Sequence, residues 1–171
     1  LAVGLVINKL ACSPVDAKVF ALASNKGILI SKDGAVNFLQ AAGIPSTIDV
    51  SYGLDVKFDG NGILYCSIGN ERGGYYYGTS GASYSVVGSK VYKSTDATLS
   101  NFKNITPYSP VLSDSLYGRI ELGLNSSGNA IYASCARKNI SNTTGAPSVN
   151  SASLSGLFVS YDAGNTWALI L

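Results

Sequence analysis

Short apolar runs alternate with clusters of Gly, Asn, Asp and Ser along this chain, and the succession returns with a long period. A first run occupies residues 9–12, 55–58 and 121–124. A second occupies 18–23, 62–67 and 129–134. A third occupies 27–30, 90–93 and 156–159, and the clearest fourth is 167–171. Within these runs apolar and polar positions alternate with period two, and β-branched and aromatic residues are frequent. That combination, bounded by turn formers, predicts strands. Residues 36–42 come nearest to a helix, but they are too few and overlap a turn. The pattern therefore predicts an all-β chain of three units, each of four short strands.

A polar signature punctuates each unit between its third and fourth strands. The clearest copy carries Ser160, Asp162, Gly164, Thr166 and Trp167. An earlier copy carries Ser31, Asp33 and Phe38, and the middle one Ser94, Asp96 and Phe102 with one extra residue. The three serines stand at intervals of 63 and 66 residues. Four antiparallel strands repeated at this length read as blades of a β-propeller. The expected blades are 1–48, 49–112 and 113–171, all within one partial propeller domain. Closed propellers use roughly four to eight blades. The expectation is therefore a piece of a larger ring, or a ring completed by another copy of the chain.

The Ser-x-Asp units resemble the Asp-box, or BNR repeat, with the pattern Ser/Thr-x-Asp-x-Gly-x-Thr-Trp. The third copy matches every defined position. The first has Gly34 one place early, and the second lacks the Gly. The chain looks like a run of Asp-box blades, as in sialidases, xyloglucan-cleaving glucanases, sortilin-type receptors and secreted bacterial surface proteins. The resemblance implies a secreted or cell-surface protein, bacterial in origin. It also implies that the box lies at the blade periphery, away from the ligand face. Turn chemistry agrees: Ser and Asp oxygens accept backbone N–H bonds, Gly supplies positive φ, and the aromatic covers the hairpin. Asp33, Asp96 and Asp162 are thus read as structural.

Composition narrows the function. The chain is 46% hydrophobic and 13% charged, against roughly 25% charged in an average soluble domain. Sheets stacked on both faces account for this, because no apolar run approaches the ~20 residues of a spanning helix. A net charge of +2 with scattered basic residues gives no nucleic-acid stripe. The absence of His removes the commonest base and metal ligand. Cys12, Cys66 and Cys135 form no Cys-x-x-Cys pair, so neither a metal nor a cofactor is expected. Cys66 and Cys135 read as buried thiols, with a disulfide between them as the alternative. Asn104, Asn125, Asn139 and Asn142 open Asn-x-Ser/Thr sequons, which carry weight only in a glycosylating host.

Candidate function residues fall on one face. Turns of an antiparallel blade alternate between faces, and both long insertions, 70–89 and 137–155, join second to third strands. Insertions on one face of a repeat array mark its working face. Tyr75, Tyr76 and Tyr77, with Tyr84, offer sugar-stacking or partner-anchoring area. Tyr52, Tyr117 and Arg119 open the innermost strands. Asp55 and Glu121 follow at matching positions, with Lys9 the match in the first unit. One reading makes Asp55 and Glu121 a carboxylate pair for glycoside hydrolysis. The other, which is favoured, has them solvate the axis or pair with Arg119, Lys57 or Lys9. Arg72, Arg119 and Arg137 do not sit in a sialidase arginine motif. The leading expectation is a non-catalytic extracellular module that presents loops to a glycan or protein. Its alternative is part of a xyloglucanase- or sialidase-like glycoside hydrolase with catalytic acids partly or wholly outside this segment.

Overall fold

A computed structural model of the chain describes residues 4–44, 52–69, 88–110, 117–137 and 154–171. Twelve strands occur among them, and no helix. The first sheet is β1 (Ile7–Cys12), β2 (Phe20–Ser24), β3 (Gly27–Ser31) and β4 (Leu39–Gln40). The second is β5 (Tyr52–Phe58), β6 (Leu64–Gly69), β7 (Lys90–Ser94) and β8 (Phe102–Asn104). The third is β9 (Tyr117–Leu124), β10 (Ile131–Arg137), β11 (Leu154–Ser160) and β12 (Ala168–Leu169). Each sheet is an antiparallel meander in chain order. The all-β expectation of four strands per unit holds throughout the described residues.

Alternation along β6 explains the stacking. Leu64, Cys66 and Ile68 enter a core shared with Ala21, Ala23, Ile28 and Ile30 of the first sheet. Their neighbour Tyr65 enters a second core with Ile120, Ile131, Ala133, Cys135 and Phe158 of the third. Every residue of β6 is buried. A strand covered on both faces can be apolar throughout, and its period-two pattern then sorts residues between two neighbours. Cys66 and Cys135 lie in different cores and are unbonded, while Cys12 is exposed. Burial pushes the Cys66 thiol far up and the Cys135 thiol up to about 12. Both are therefore inert packing residues.

The sheets also bond to each other. The Asn8 amide donates to Gly53 O at 2.7 Å. A Cβ on Gly53 would lie 2.7 Å from the Ala23 backbone, so this approach of β5 to the first sheet requires glycine. Ser67 Oγ donates to Ile120 O at 2.7 Å, tying β6 to β9.

The Ser-x-Asp turns are hydrogen-bond cages. Ser160 Oγ donates to Asp162 Oδ1 at 2.8 Å and accepts from Gly164 N at 2.8 Å. Asp162 accepts from Thr166 N at 2.8 Å and from Thr166 Oγ1 at 2.6 Å. Ser31 and Asp33 repeat the pattern with Ala35 and Asn37. The middle turn is looser: Asp96 accepts from Thr98, and Ser94 Oγ accepts instead from Leu64 N at 3.0 Å. The backbone shows why Gly34 stands one place early. Both closed turns need two successive left-handed residues, Gly34–Ala35 (φ 76° and 70°) and Ala163–Gly164 (58° and 86°). Glycine fills either position, and alanine accepts the strain at the other. Two aromatics close their turns less fully than expected. Trp167 and Phe38 are only half-buried, Trp167 with part of its ring packed against the second core.

These turns yield two predictions. Ala35→Gly and Ala163→Gly should each raise stability by about 0.5–1 kcal/mol, because a left-handed alanine is strained where glycine is not. Gly164→Ala should cost more than Gly34→Ala. The former Cβ would lie 2.5 Å from Ile105 Cδ1, while the latter meets nothing within 4 Å. Denaturant midpoints of the four variants check the order.

The second concerns acid. The Asn37 and Ser31 hydrogen bonds hold Asp33 down to about 2, and those of Thr166 and Ser160 hold Asp162 at about 2. A depressed folded-state value means stability is complete above the ordinary carboxylate range and is lost as pH falls through the folded value. The loss should therefore fall between about pH 4 and pH 2. Asp33→Asn/Asp162→Asn should flatten the melting-temperature profile across that window; an unchanged acid limb would refute the cage.

Candidate functional site

The innermost strands β1, β5 and β9 bring together the charged positions expected at the axis. Arg119 donates through Nε to Glu121 Oε1 at 2.5 Å, and its Nη2 lies at the same distance. Lys9 of the first sheet reaches Glu121 Oε2 at 3.9 Å, across the width of the second. The three side chains remain about two-fifths exposed, so the cluster faces solvent. It is polar, of mixed sign and open.

Asp55 belongs to a different environment. Its side chain is fully buried. Oδ2 accepts from Leu122 N of the third sheet at 2.9 Å. Oδ1 accepts from Val56 N at 2.9 Å and from Lys57 Nζ at 3.0 Å. A buried carboxylate is tolerable when its lone pairs are filled in this way. Asp55 is thus a bolt between β5 and β9, whereas Glu121 is an ion-paired surface acid. Matching strand positions do not give matching roles.

The tyrosines divide as well. Tyr52 is half-buried at the start of β5. Tyr117 departs from the expectation of a ligand-facing ring: it is 1% exposed and packs edge-on against Phe158 at 5.8 Å. The hydrophobic core of the second interface draws it inward. A bulky aromatic at the opening of a strand gave no signal that separated these two fates. Tyr75, Tyr76, Tyr77, Tyr84 and Arg72 lie outside the described residues, as does most of the 137–155 insertion. Among the described residues no cluster of His, Cys, Asp and Glu could hold a metal ion. No helix of the described residues is long and apolar enough to cross a membrane.

The outer flanks are the other open surfaces. On the first sheet Ala11 packs inward, so its neighbour Leu10 points away and is 60% exposed. On the third, Ile131 and Ala133 pack inward, and Tyr132 between them points away, 43% exposed. Both flanks have the character of faces that the interior interfaces cover.

Solved structures place this architecture. The chain is similar to the GH74 xyloglucanase of Xanthomonas campestris, with 16% identity over 95% of this chain and a TM-score of 0.58. It is similar to a GH74 enzyme of Niastella koreensis, with 19% identity over 94% and a TM-score of 0.60. An ancestral GH74 enzyme aligns over 96% of the chain with 16% identity and a TM-score of 0.59. The fold is that of β-propeller blades. The chain spans about a fifth of the length of these proteins, covering 21%, 22% and 20% of them. No family model and no curated protein matches the chain in sequence.

The two acids should respond differently to removal. Asp55→Ala leaves buried donors without an acceptor and should cost about 2–4 kcal/mol. Glu121→Gln disturbs an exposed pair and should cost no more than about 1 kcal/mol. Urea unfolding of both variants checks the contrast.

Proposed function

We propose that this chain contributes three consecutive blades to a larger propeller of a secreted glycoside hydrolase acting on a β-glucan such as xyloglucan. The observation that carries the reading is the structural alignment of nearly the whole chain with GH74 enzymes. The serine and aspartate cages support an Asp-box repeat as the building unit. The exposed flanks at Leu10 and Tyr132 suit further blades on either side. In this reading Lys9, Arg119 and Glu121 form part of a polar wall along the substrate face. The catalytic acids are supplied by other blades, because Asp55 is buried and Glu121 is held by two cations.

A second reading is a non-catalytic module that binds a glycan or a protein. The engagement of both axial carboxylates favours it. The two readings separate on xyloglucan. The full-length protein should release reducing ends from the polymer, and Glu121→Gln should leave that rate within about twofold of wild type, since a positioning charge at an open surface has a small effect. Retention on immobilised xyloglucan without hydrolysis would move the assignment to the binding module. Neither hydrolysis nor retention would remove both.

A further inference from the structure

A cleft of about 360 Å³ opens where β8 of the second blade meets the Ser-x-Asp turn of the third. It lies at the rim, three strands away from β5 and the axial cluster. Its size is in the range of small-ligand clefts.

The chemistry inside is ordered. Trp167 lines the cleft half-buried. Its indole N–H donates to Ile105 O at 2.8 Å, which fixes the ring plane. Asn104 stands beside it on the opposing blade. Its Oδ1 accepts from Thr106 N at 2.9 Å and from Thr106 Oγ1 at 2.6 Å. Both bonds go to the oxygen, and the residue is exposed, so Thr106 uses neither N–H of the amide. Lys103 reaches Asn165 Oδ1 across the cleft at 3.3 Å and adds an ammonium. Tyr108 brings a second aromatic ring, 72% exposed, with its hydroxyl. Among the described residues no carboxylate lines the cleft.

A fixed aromatic ring edged by polar side chains matches the two surfaces of a hexopyranose. The C–H face of the sugar lies on the aromatic ring, and its ring-edge hydroxyls accept from amide and ammonium. A sugar with equatorial hydroxyls presents the flattest C–H face. We propose that this rim cleft is a binding subsite for a β-linked glucan chain, with Trp167 as the stacking platform and Asn104, Lys103 and Tyr108 as the polar contacts. It binds without cleaving and is separate from the axial face. The proposal stands whether the propeller is a hydrolase or a binding module, since nothing in the cleft is needed for bond cleavage.

Trp167 is the single tryptophan of these 171 residues, and in the full-length protein the difference in emission between wild type and Trp167→Phe isolates its signal. Titration with cellohexaose should change that emission saturably, with a midpoint at or below about 1 mM. Asn104→Ala/Tyr108→Ala should raise the midpoint at least about tenfold while the melting temperature stays within a few degrees. Should the double variant fail to fold, Tyr108→Ala alone serves, because that side chain is largely in solvent. It should weaken binding about threefold or more, as loss of an aromatic contact does. No change in emission up to about 10 mM cellohexaose would overturn the proposal. So would equal midpoints for wild type and variants. Xyloglucan hydrolysis by the same variants should be unaltered in its maximal rate, which keeps the fate of this cleft distinct from that of the axial reading.

Discussion

Everything in this chain depends on burying both faces of a thin sheet. Four short strands cannot make a core alone, and each face must meet another sheet. The second blade satisfies this condition fully. Its β6 is buried from end to end, with odd and even residues serving different neighbours. The first and third blades satisfy it on one side, and Leu10 and Tyr132 mark the sides that remain open. A low charge content follows from the same constraint, since a stacked sheet has little surface on which to place charge.

Apolar stacking alone would let blades slide, and polar bonds fix their register. Asp55 reaches Leu122 N, Ser67 reaches Ile120 O, and Asn8 reaches Gly53 O. Each involves an inner strand and crosses between blades. The rim is fastened separately: Lys93 donates to Ala163 O at 3.4 Å, and Trp167 to Ile105 O. Lys32 also donates to Thr98 O, joining the first and second turns. The Ser-x-Asp turns therefore close their own hairpins and present backbone to the adjacent blade. The rim cleft is a consequence, because a turn that leans on the preceding outer strand leaves a gap beside its aromatic.

Comparison of the acids shows how position and role come apart. Lys9, Asp55 and Glu121 occupy equivalent places on β1, β5 and β9, yet one acid is a buried bolt and the other an exposed ion pair. The difference is one of neighbours. Each acid has a cation two residues away on its own strand, Lys57 and Arg119, but only Asp55 also faces an inner strand whose Leu122 N–H bonds to it and buries it.

The sequence by itself determined the strands, their grouping in fours and the chemistry of the turns. These rest on interactions between residues a few positions apart: alternation within a strand, and Asp162 with Thr166 within a hairpin. Even the misplaced Gly34 was legible as a variant of the turn, although only the backbone shows that two adjacent left-handed residues share the load. The tertiary structure alone decided which way each face looks. Alternation gives the parity of a residue but not the blade it will meet, so Tyr52 and Tyr117 read alike while Tyr117 went into the core beside Phe158. Pairing of Lys9 with Glu121 and of Asp55 with Leu122, like the meeting of Trp167 and Asn104 in one cleft, joins residues 60 or more positions apart. Nothing local encodes such contacts; they follow from how one sheet comes to rest on the next.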